Sequence, residues 1–535
     1  MINMSGERQL RAAGDIDSRT PVVVGVGQSS ERLGDAGYRR RSPVELAADA
    51  ARQLLADTGA DGRAMAEAID TVAGIRQFEV SGPGARARLG RSDNYPRSVA
   101  GRIGASPARA ILEITGGQAP QRLVNEFAAV IASGGSDAVL LVGSEAISTI
   151  EHYAEAADRP DFTEQAGGSL EDRGYGLHGM FSRHLAEHGL TGAPSQYALI
   201  ENARRARLGQ TREQYAAAMG ELFAPFSRVA AANPHAAAPV ERSAAELVTP
   251  TQANRPIADP YLRYIVAREK VNQGAAVLMM SVGAARRLGV PADRWVFLHG
   301  HADVRERSLM DRADLSASPA AVMAAQHALE LAALRAGELA SIDLYSCFPA
   351  PVFNICDGLG LSPADPRGLT VTGGLPFFGG AGNNYSMHAI AETVQRARQA
   401  PGSYGFVGAN GGIMGKYSAG VYSTAPVAWA PDRSAGLQAE VDSWAAPAQA
   451  RAADGWAAIE TYTVKYGRDG TRTGIVIGRL DADGRRFVAR TDDRDAELLG
   501  ALMTAPEPIG ERVYVRSLES GNRVTCHPRP GRLRR

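Results

Sequence analysis

Thr115-Gly116-Gly117-Gln118-Ala119-Pro120 is followed by the apolar run Gln121–Ser133 and then by Ala138-Val139-Leu140-Leu141-Val142-Gly143. The glycine pair reads as a turn, the run as a helix, and the short apolar stretch as a buried strand. The same order returns later. Gly373-Gly374-Leu375-Pro376-Phe377-Phe378-Gly379-Gly380-Ala381-Gly382-Asn383-Asn384-Tyr385 leads into a helical stretch, Ser386–Arg398, then the strand Tyr404–Gly408 and the turn Ala409-Asn410-Gly411-Gly412. A unit that occurs twice predicts a duplicated α/β architecture, with a mainly parallel sheet covered on both faces. The shared site is expected between the halves.

Working outward, Pro21–Gly27 and Ile69–Gly74 read as strands, and Ser42-Pro43-Val44-Glu45 starts a helix with an N-cap serine and a first-turn proline. From Ile147 to about Val271 the chain is rich in Ala, Arg, His and Tyr, with helical patterning at Tyr197–Arg205 and Arg212–Phe223. That segment reads as a helical insertion lying over a site. The pattern restarts with the strands Ala275–Ser281 and Trp295–Leu298, the helix Pro319–Leu334, and the strand Ile342–Tyr345, which runs into Ser346-Cys347-Phe348-Pro349. The expected division is a first half at 1–146 and 251–270, an insertion at 147–250, a second half at 271–424, a linker at 425–456 and a small β-rich domain at 457–535. In that domain Arg468-Asp469-Gly470 and Asp483-Gly484 are hairpin turns, and an OB-like barrel packed against the main body is expected.

The 535 residues carry 58 Lys+Arg against 58 Asp+Glu, so no net charge draws the chain to nucleic acid or an anionic membrane. The basic tail from Arg529 reads as a solvated terminus. Met1 to Pro21 lacks the apolar core of a signal peptide, and no run is long enough to span a bilayer. Cys347, Cys356 and Cys526 are odd in number and far apart, which excludes a disulfide framework and fits a reducing cytoplasm. His184 and His188 share an i,i+4 spacing and His178 lies nearby, but no acidic or cysteine partner completes a ligand set, so no metal is expected.

Residues from about Pro21 to Tyr422 resemble the thiolase superfamily, above all the sterol-carrier-protein-type thiolases and thiolase-like proteins. Ala128–Glu145, "AAVIASGGSDAVLLVGSE", is similar to the helix–strand unit after the thiolase nucleophile, and Gly274–Ser281, "GAAVLMMS", to the start of the family's second half. Tyr345–Phe348, Gly373–Gly382 and Ala409–Gly415 follow in the family's order. With the extra C-terminal domain, the whole chain resembles the type 1 thiolase-like proteins. The resemblance implies the duplicated α/β/α/β/α layers and a CoA thioester as substrate or ligand, with no other cofactor. It also implies departures. Gly117 stands where the family has its nucleophilic cysteine, Gly380-Ala381 where it has a Gly-His-Pro histidine, Ala409 where it has a second cysteine, and Tyr345-Ser346 where it has a polar pair.

The candidate catalytic residues are Cys347, as thiolate base or nucleophile, His388 as general base, Tyr345 as proton donor and Asn384 as oxyanion donor. Gly117, Ser346, Gly379, Gly380, Asn383, Tyr385, Asn410 and Gly411 are expected to bind substrate. Three functions follow: an acyltransferase-type protein acting on acyl-CoA, covalently through Cys347 or without an adduct; a retro-aldolase on CoA-linked side chains; or a CoA-binding protein without turnover. A homodimer or a monomer is expected, since thiolases usually pair through their central strands.

Overall fold

The computed structural model describes residues 16–177 and 182–528. The N-terminal segment before 16, His178 and the basic tail from 529 lie outside the described residues. In chain order the strands are β1 (Pro21–Ser30), β2 (Thr71–Gly74), β3 (Arg109–Leu112), β4 (Ala138–Ala146), β5 (Glu171–Asp172), β6 (Pro256–Ala258), β7 (Tyr261–Leu262), β8 (Asn272–Ser281), β9 (Val296–Arg305), β10 (Ser341–Leu344), β11 (Gly405–Gly411) and β12 (Lys416–Ser423). The small domain adds β13 (Gly455–Tyr466), β14 (Arg472–Leu480), β15 (Arg486–Thr491), β16 (Arg512–Leu518) and β17 (Gly521–Thr525).

Ten strands form one sheet in the order β10-β11-β12-β9-β1-β8-β4-β2-β3-β5. The duplication is visible in the pairings. β1 runs antiparallel to β8, β8 antiparallel to β4, and β4 parallel to β2. β9, β12, β11 and β10 repeat that series. The halves meet at β1–β9 through Val22↔Phe297 and Val23↔Val296.

Two expectations are corrected. The sheet is mixed rather than mainly parallel, because each half turns one long strand back through its middle. Gly274–Ser281 lies in that returning strand, β8, so it closes the first half instead of opening the second.

Several helices start where the sequence caps them. The helix Pro43–Asp57 opens on a capping box. The Glu45 N–H donates to Ser42 Oγ at 3.1 Å, and the Ser42 N–H donates to Glu45 Oε2 at 2.7 Å. The helices Ala119–Ala132 and Tyr385–Gln399 lie between the halves and bury Leu123, Phe127, Ile390 and Val394 against strand residues from both. Burying each such side chain contributes about 1.5–3 kcal/mol, and this shared layer holds the halves together.

The insertion is helical, with Ala193–Arg207 and Arg212–Ala232 as its long elements. β13, β14, β15, β17 and β16 close into a five-stranded barrel, with β15–β17 parallel and the helix Ala496–Thr504 before β16. Order and helix placement are those of an OB-type barrel. The barrel sits on the insertion. Thr461 Oγ1 donates to Leu199 O at 2.5 Å, and Asn202 Nδ2 donates to Tyr462 O at 3.0 Å. β6 and β7 extend the barrel's sheet rather than the large one, through Ala258↔Lys465 and the Asp259 N–H bond to Val464 O at 2.9 Å. The 425–456 stretch, expected as a linker, includes the helix Ser434–Ser443 packed on β9. Among the described residues, no helix is long and apolar enough to cross a membrane.

Candidate functional site

The ends of β10 and β11, the glycine turn before the helix Ala119–Ala132, and the 373–385 loop enclose a cavity of about 450 Å³. Both halves contribute. Of the candidate residues, Gly117, Tyr345, Cys347, Gly380, Asn383, Asn410 and Gly411 line it. Pro194 and Tyr197 of the insertion and Val266 and Ala267 of the following strap cover it. The strap is pinned by backbone bonds, Ala267 N–H to Cys347 O at 3.0 Å and Arg268 N–H to Leu375 O at 3.1 Å.

Tyr345 stands in the middle of this lining. A Cβ added to Gly117 would fall within contact distance of the Tyr345 Oη, Cζ and Cε2, so the ring fills the space a side chain at 117 would need. Burial, with Cys347 and Glu269 nearby, raises the phenol far above its usual pKa, and it stays protonated at any ordinary pH. Tyr385 meets the Tyr345 ring edge-on at 5.4 Å from behind.

Cys347 follows on the turn into the helix Pro349–Leu359. Burial pushes its thiol up to about 12 despite a hydrogen bond with Tyr197. The Tyr197 hydroxyl donates to Gly412 O at 2.8 Å and accepts from Asn410 Nδ2 at 2.9 Å and the Met414 N–H at 3.2 Å. Its ring stacks on Phe348 at 4.4 Å. Asn410 is thereby oriented toward Tyr197, with Nδ2 4.0 Å from Cys347 Sγ. Asn383 ties the rim together: Nδ2 donates to Arg76 O at 2.8 Å and Ser81 Oγ at 2.9 Å, and Oδ1 accepts from the Gly116 N–H at 2.9 Å.

Five expected site residues lie behind the lining, outside the cavity. Ser346 Oγ turns away to accept the Leu375 N–H at 3.3 Å. Gly379 packs on Val271 and Gln273. The Tyr385 hydroxyl bonds Thr372 Oγ1 at 2.6 Å and Asp343 Oδ1 at 3.2 Å. Asn384 is fully buried against Gly143, with its amide unpartnered among the described residues. His388 Nδ1 bonds Gln28 Oε1 at 2.8 Å, and burial lowers the ring to about 3, so it is neutral and faces the sheet. Helix Tyr385–Gln399 rotates about 100° per residue, which carries Tyr385 and His388 onto its buried faces, with Asn384 buried at its N-cap. The loop amides are also committed: the Gly380 N–H donates to Arg268 O at 2.8 Å.

Glu145 lies under the same loop. Gly382 has φ +54, and a Cβ there would come 2.7 Å from the Glu145 Cδ. Burial pushes this carboxyl up to about 8 against the pull of the Phe78 N–H, which it accepts at 2.7 Å.

A second cavity, of about 550 Å³, adjoins the first. Pro194, Val266, Ala267 and Glu269 line both. Its walls carry Arg242, Arg255, Arg263, Arg268, Lys270 and Arg468, with Glu269 as the one carboxylate. Sequence reasoning missed this cleft and Tyr197. The insertion's helical pattern placed Tyr197 over a site, but the cations come from segments far apart. On the barrel, Asp495, Glu497 and Cys526 come within 4.8 Å of one another. Asp495 already accepts the Leu498 and Cys526 N–H groups there, and we assign no metal.

Residues 436–520 match the family model of the thiolase-like protein type 1 additional C-terminal domain. A crystal structure of a monomeric SCP2-thiolase-like protein type 1 from Mycobacterium smegmatis is 52% identical, with a TM-score of 0.83, over 96% of this chain and 100% of that one. An Ltp2–ChsH2(DUF35) aldolase matches at 18% identity and a TM-score of 0.54, over 76% of this chain and 98% of that one. The acetyl-CoA acetyltransferase of Syntrophomonas wolfei matches at 17% and 0.52, over 76% and 99%. These last two share the fold. None of the curated proteins compared matches the chain.

Proposed function

The chain belongs to the SCP2-thiolase-like proteins of type 1, and on that premise we propose that it binds acyl-CoA thioesters and acts on the acyl group by proton transfer, without an acyl-enzyme. One observation carries this reading: a cationic cleft opens into a mainly apolar cavity through residues common to both. CoA has that polarity, with phosphates at one end and a thioester at the other. The cleft takes the phosphates, and the pantetheine arm passes Pro194 and Ala267 to reach Tyr345.

The groups at that end favour non-covalent chemistry. Gly117, where the family resemblance puts the nucleophile, has nothing to acylate. A thiol held near 12 is almost wholly protonated at neutral pH and is a poor nucleophile. Tyr345 is a neutral phenol with no hydrogen-bond partner among the described residues; in this reading Glu269, in the same lining, takes the Cα proton, and Tyr345 donates a hydrogen bond to the thioester carbonyl and to the enolate oxygen that results. In the adduct-free acyltransferase-type reading, a nucleophile of a second substrate attacks that carbonyl and CoA leaves as its thiol.

The same phenol favours a second reading. In retro-aldol cleavage of a β-hydroxyacyl thioester, Glu269 takes the hydroxyl proton, the Cα–Cβ bond breaks to release a carbonyl compound, and the enolate takes up a proton at Cα from Tyr345, which is reprotonated from Glu269. We also infer a monomer, the state named for the M. smegmatis relative.

Calorimetric titration with CoA, mass spectrometry after mixing with acyl-CoA, and a carbonyl assay on β-hydroxyacyl-CoA test these readings together. CoA binding without an adduct is expected. An acyl group on Cys347 overturns the adduct-free mechanism, and absence of CoA binding overturns the reading as a whole. Sedimentation of a dimer overturns the monomer.

A further inference from the structure

The six cations of the cleft are poorly compensated. Arg242 has Glu246 at 4.0 Å, and Lys270 pairs with Glu151. Arg255 and Arg263 donate to the carbonyls of Pro256 and Ala253, at 3.0 and 3.4 Å. Arg268 Nε is buried with no partner among the described residues, and Arg263 and Arg242 add their repulsion to burial in weakening its hold on a proton. Crowded cations around an open cleft are stabilised by an anion, and guanidinium groups match phosphate oxygens in a forked geometry.

Half of these cations depend on the added barrel. Arg468 projects from the tip of the β13–β14 hairpin, at residues 467–471. Arg255 and Arg263 flank the β6–β7 strap, which is hydrogen-bonded to β13 as an extension of the barrel's sheet. Three of the cleft's six cations therefore sit at the strand ends and hairpin tip of that one sheet, and Arg242, Arg268 and Lys270 line the same cleft from the insertion and from the segment after β7.

We propose that the C-terminal barrel is a working wall of the ligand site, in which Arg468, with Arg255 and Arg263 on the strap, clamps the phosphate groups of the bound thioester's nucleotide end. The domain completes a binding site in addition to packing on the body. The identity of the ligand rests on the acyl-CoA reading above; the anion clamp does not.

The test uses the full chain and calorimetric titration with CoA, 3′-dephospho-CoA, pantetheine and inorganic pyrophosphate. Arg468→Glu is expected to weaken CoA by roughly tenfold or more and Arg468→Ala by less, with pantetheine unchanged. The deficit shrinks between about 0.05 M and about 0.5 M salt, as the screening length falls. Arg485→Glu, on the tip of the β14–β15 hairpin and outside the cleft lining, is the control and is expected to bind like wild type. A larger deficit with CoA than with 3′-dephospho-CoA assigns Arg468 to the 3′-phosphate; equal deficits assign it to the diphosphate. Unchanged CoA affinity in both Arg468 variants overturns the proposal while leaving CoA binding intact. If wild type ignores CoA but binds pyrophosphate, and Arg468→Glu abolishes that, the acyl-CoA reading fails and the clamp stands. If wild type binds neither, both fail.

Discussion

A Cβ on Gly117 would lie 2.5 Å from Cε2 of Tyr345, and closer still to its Cζ and Oη. A residue of one half thus fills the volume that a side chain from the other half would occupy. Glycine at 117 and tyrosine at 345 are a single packing solution, and the polar group presented to the cavity is a phenol.

Gly117→Ala is therefore expected to destabilise the protein by about 1–3 kcal/mol through overpacking. On a Tyr345→Ala background the penalty vanishes, because the clash partner has gone. Urea unfolding of the two single variants and the double variant gives the coupling energy. Additive effects would show that the ring does not press on 117.

Glu145 predicts a pH dependence. Its folded pKa, about 8, lies above the ordinary carboxylate value, so the unfolded chain releases its proton first as pH rises. The stability linked to this group is complete below about pH 4 and is lost between there and about pH 8, by on the order of 4–5 kcal/mol. Glu145→Gln keeps an acceptor for the Phe78 N–H and does not titrate. Its stability relative to wild type is expected to grow across that window and level off above it. Parallel curves in denaturant titrations at several pH values would sink the assignment.

Tyr197→Phe removes the acceptor used by Asn410 Nδ2 and the Met414 N–H. Each buried donor left alone costs about 1–3 kcal/mol. A fall in stability of that size is expected in thermal unfolding, whereas a change near zero would mean that water takes the place of the hydroxyl.

Cys347 should resist alkylation. With a thiol near 12, the thiolate fraction at pH 8 is roughly one in ten thousand, and the side chain is also buried. Iodoacetamide labelling followed by peptide mass spectrometry is expected to modify the partly exposed Cys526 first. Unfolding should speed labelling of Cys347 by about a thousandfold or more. Native labelling at the unfolded rate would restore the case for a reactive thiolate.

Much of this was legible before the structure, because its signals are local. The turn at Gly116-Gly117, the apolar helix behind it and the buried strand Ala138–Gly143 are read from neighbours a few residues apart, and the unit at 373–412 repeats them. The order of motifs likewise placed Gly117, Tyr345, Cys347, Asn383 and Asn410 around one cavity. Side-chain direction was not legible. Asn384 and His388 have suitable chemistry, but the phase of the helix turns His388 inward and its packed N-terminus buries Asn384, and only the packed helix sets both.

The chain's own order of residues thus determined the duplicated α/β fold, the appended barrel and the absence of a side chain at 117, since propensity, periodicity and turn chemistry act over short stretches of backbone. Only the tertiary structure decided that Tyr345 fills the gap at Gly117, that Tyr197 closes over Cys347, and that Arg242 and Arg468 line one cleft. Those relationships join residues well over a hundred positions apart, and it is burial and close packing, not local backbone preference, that bring them together.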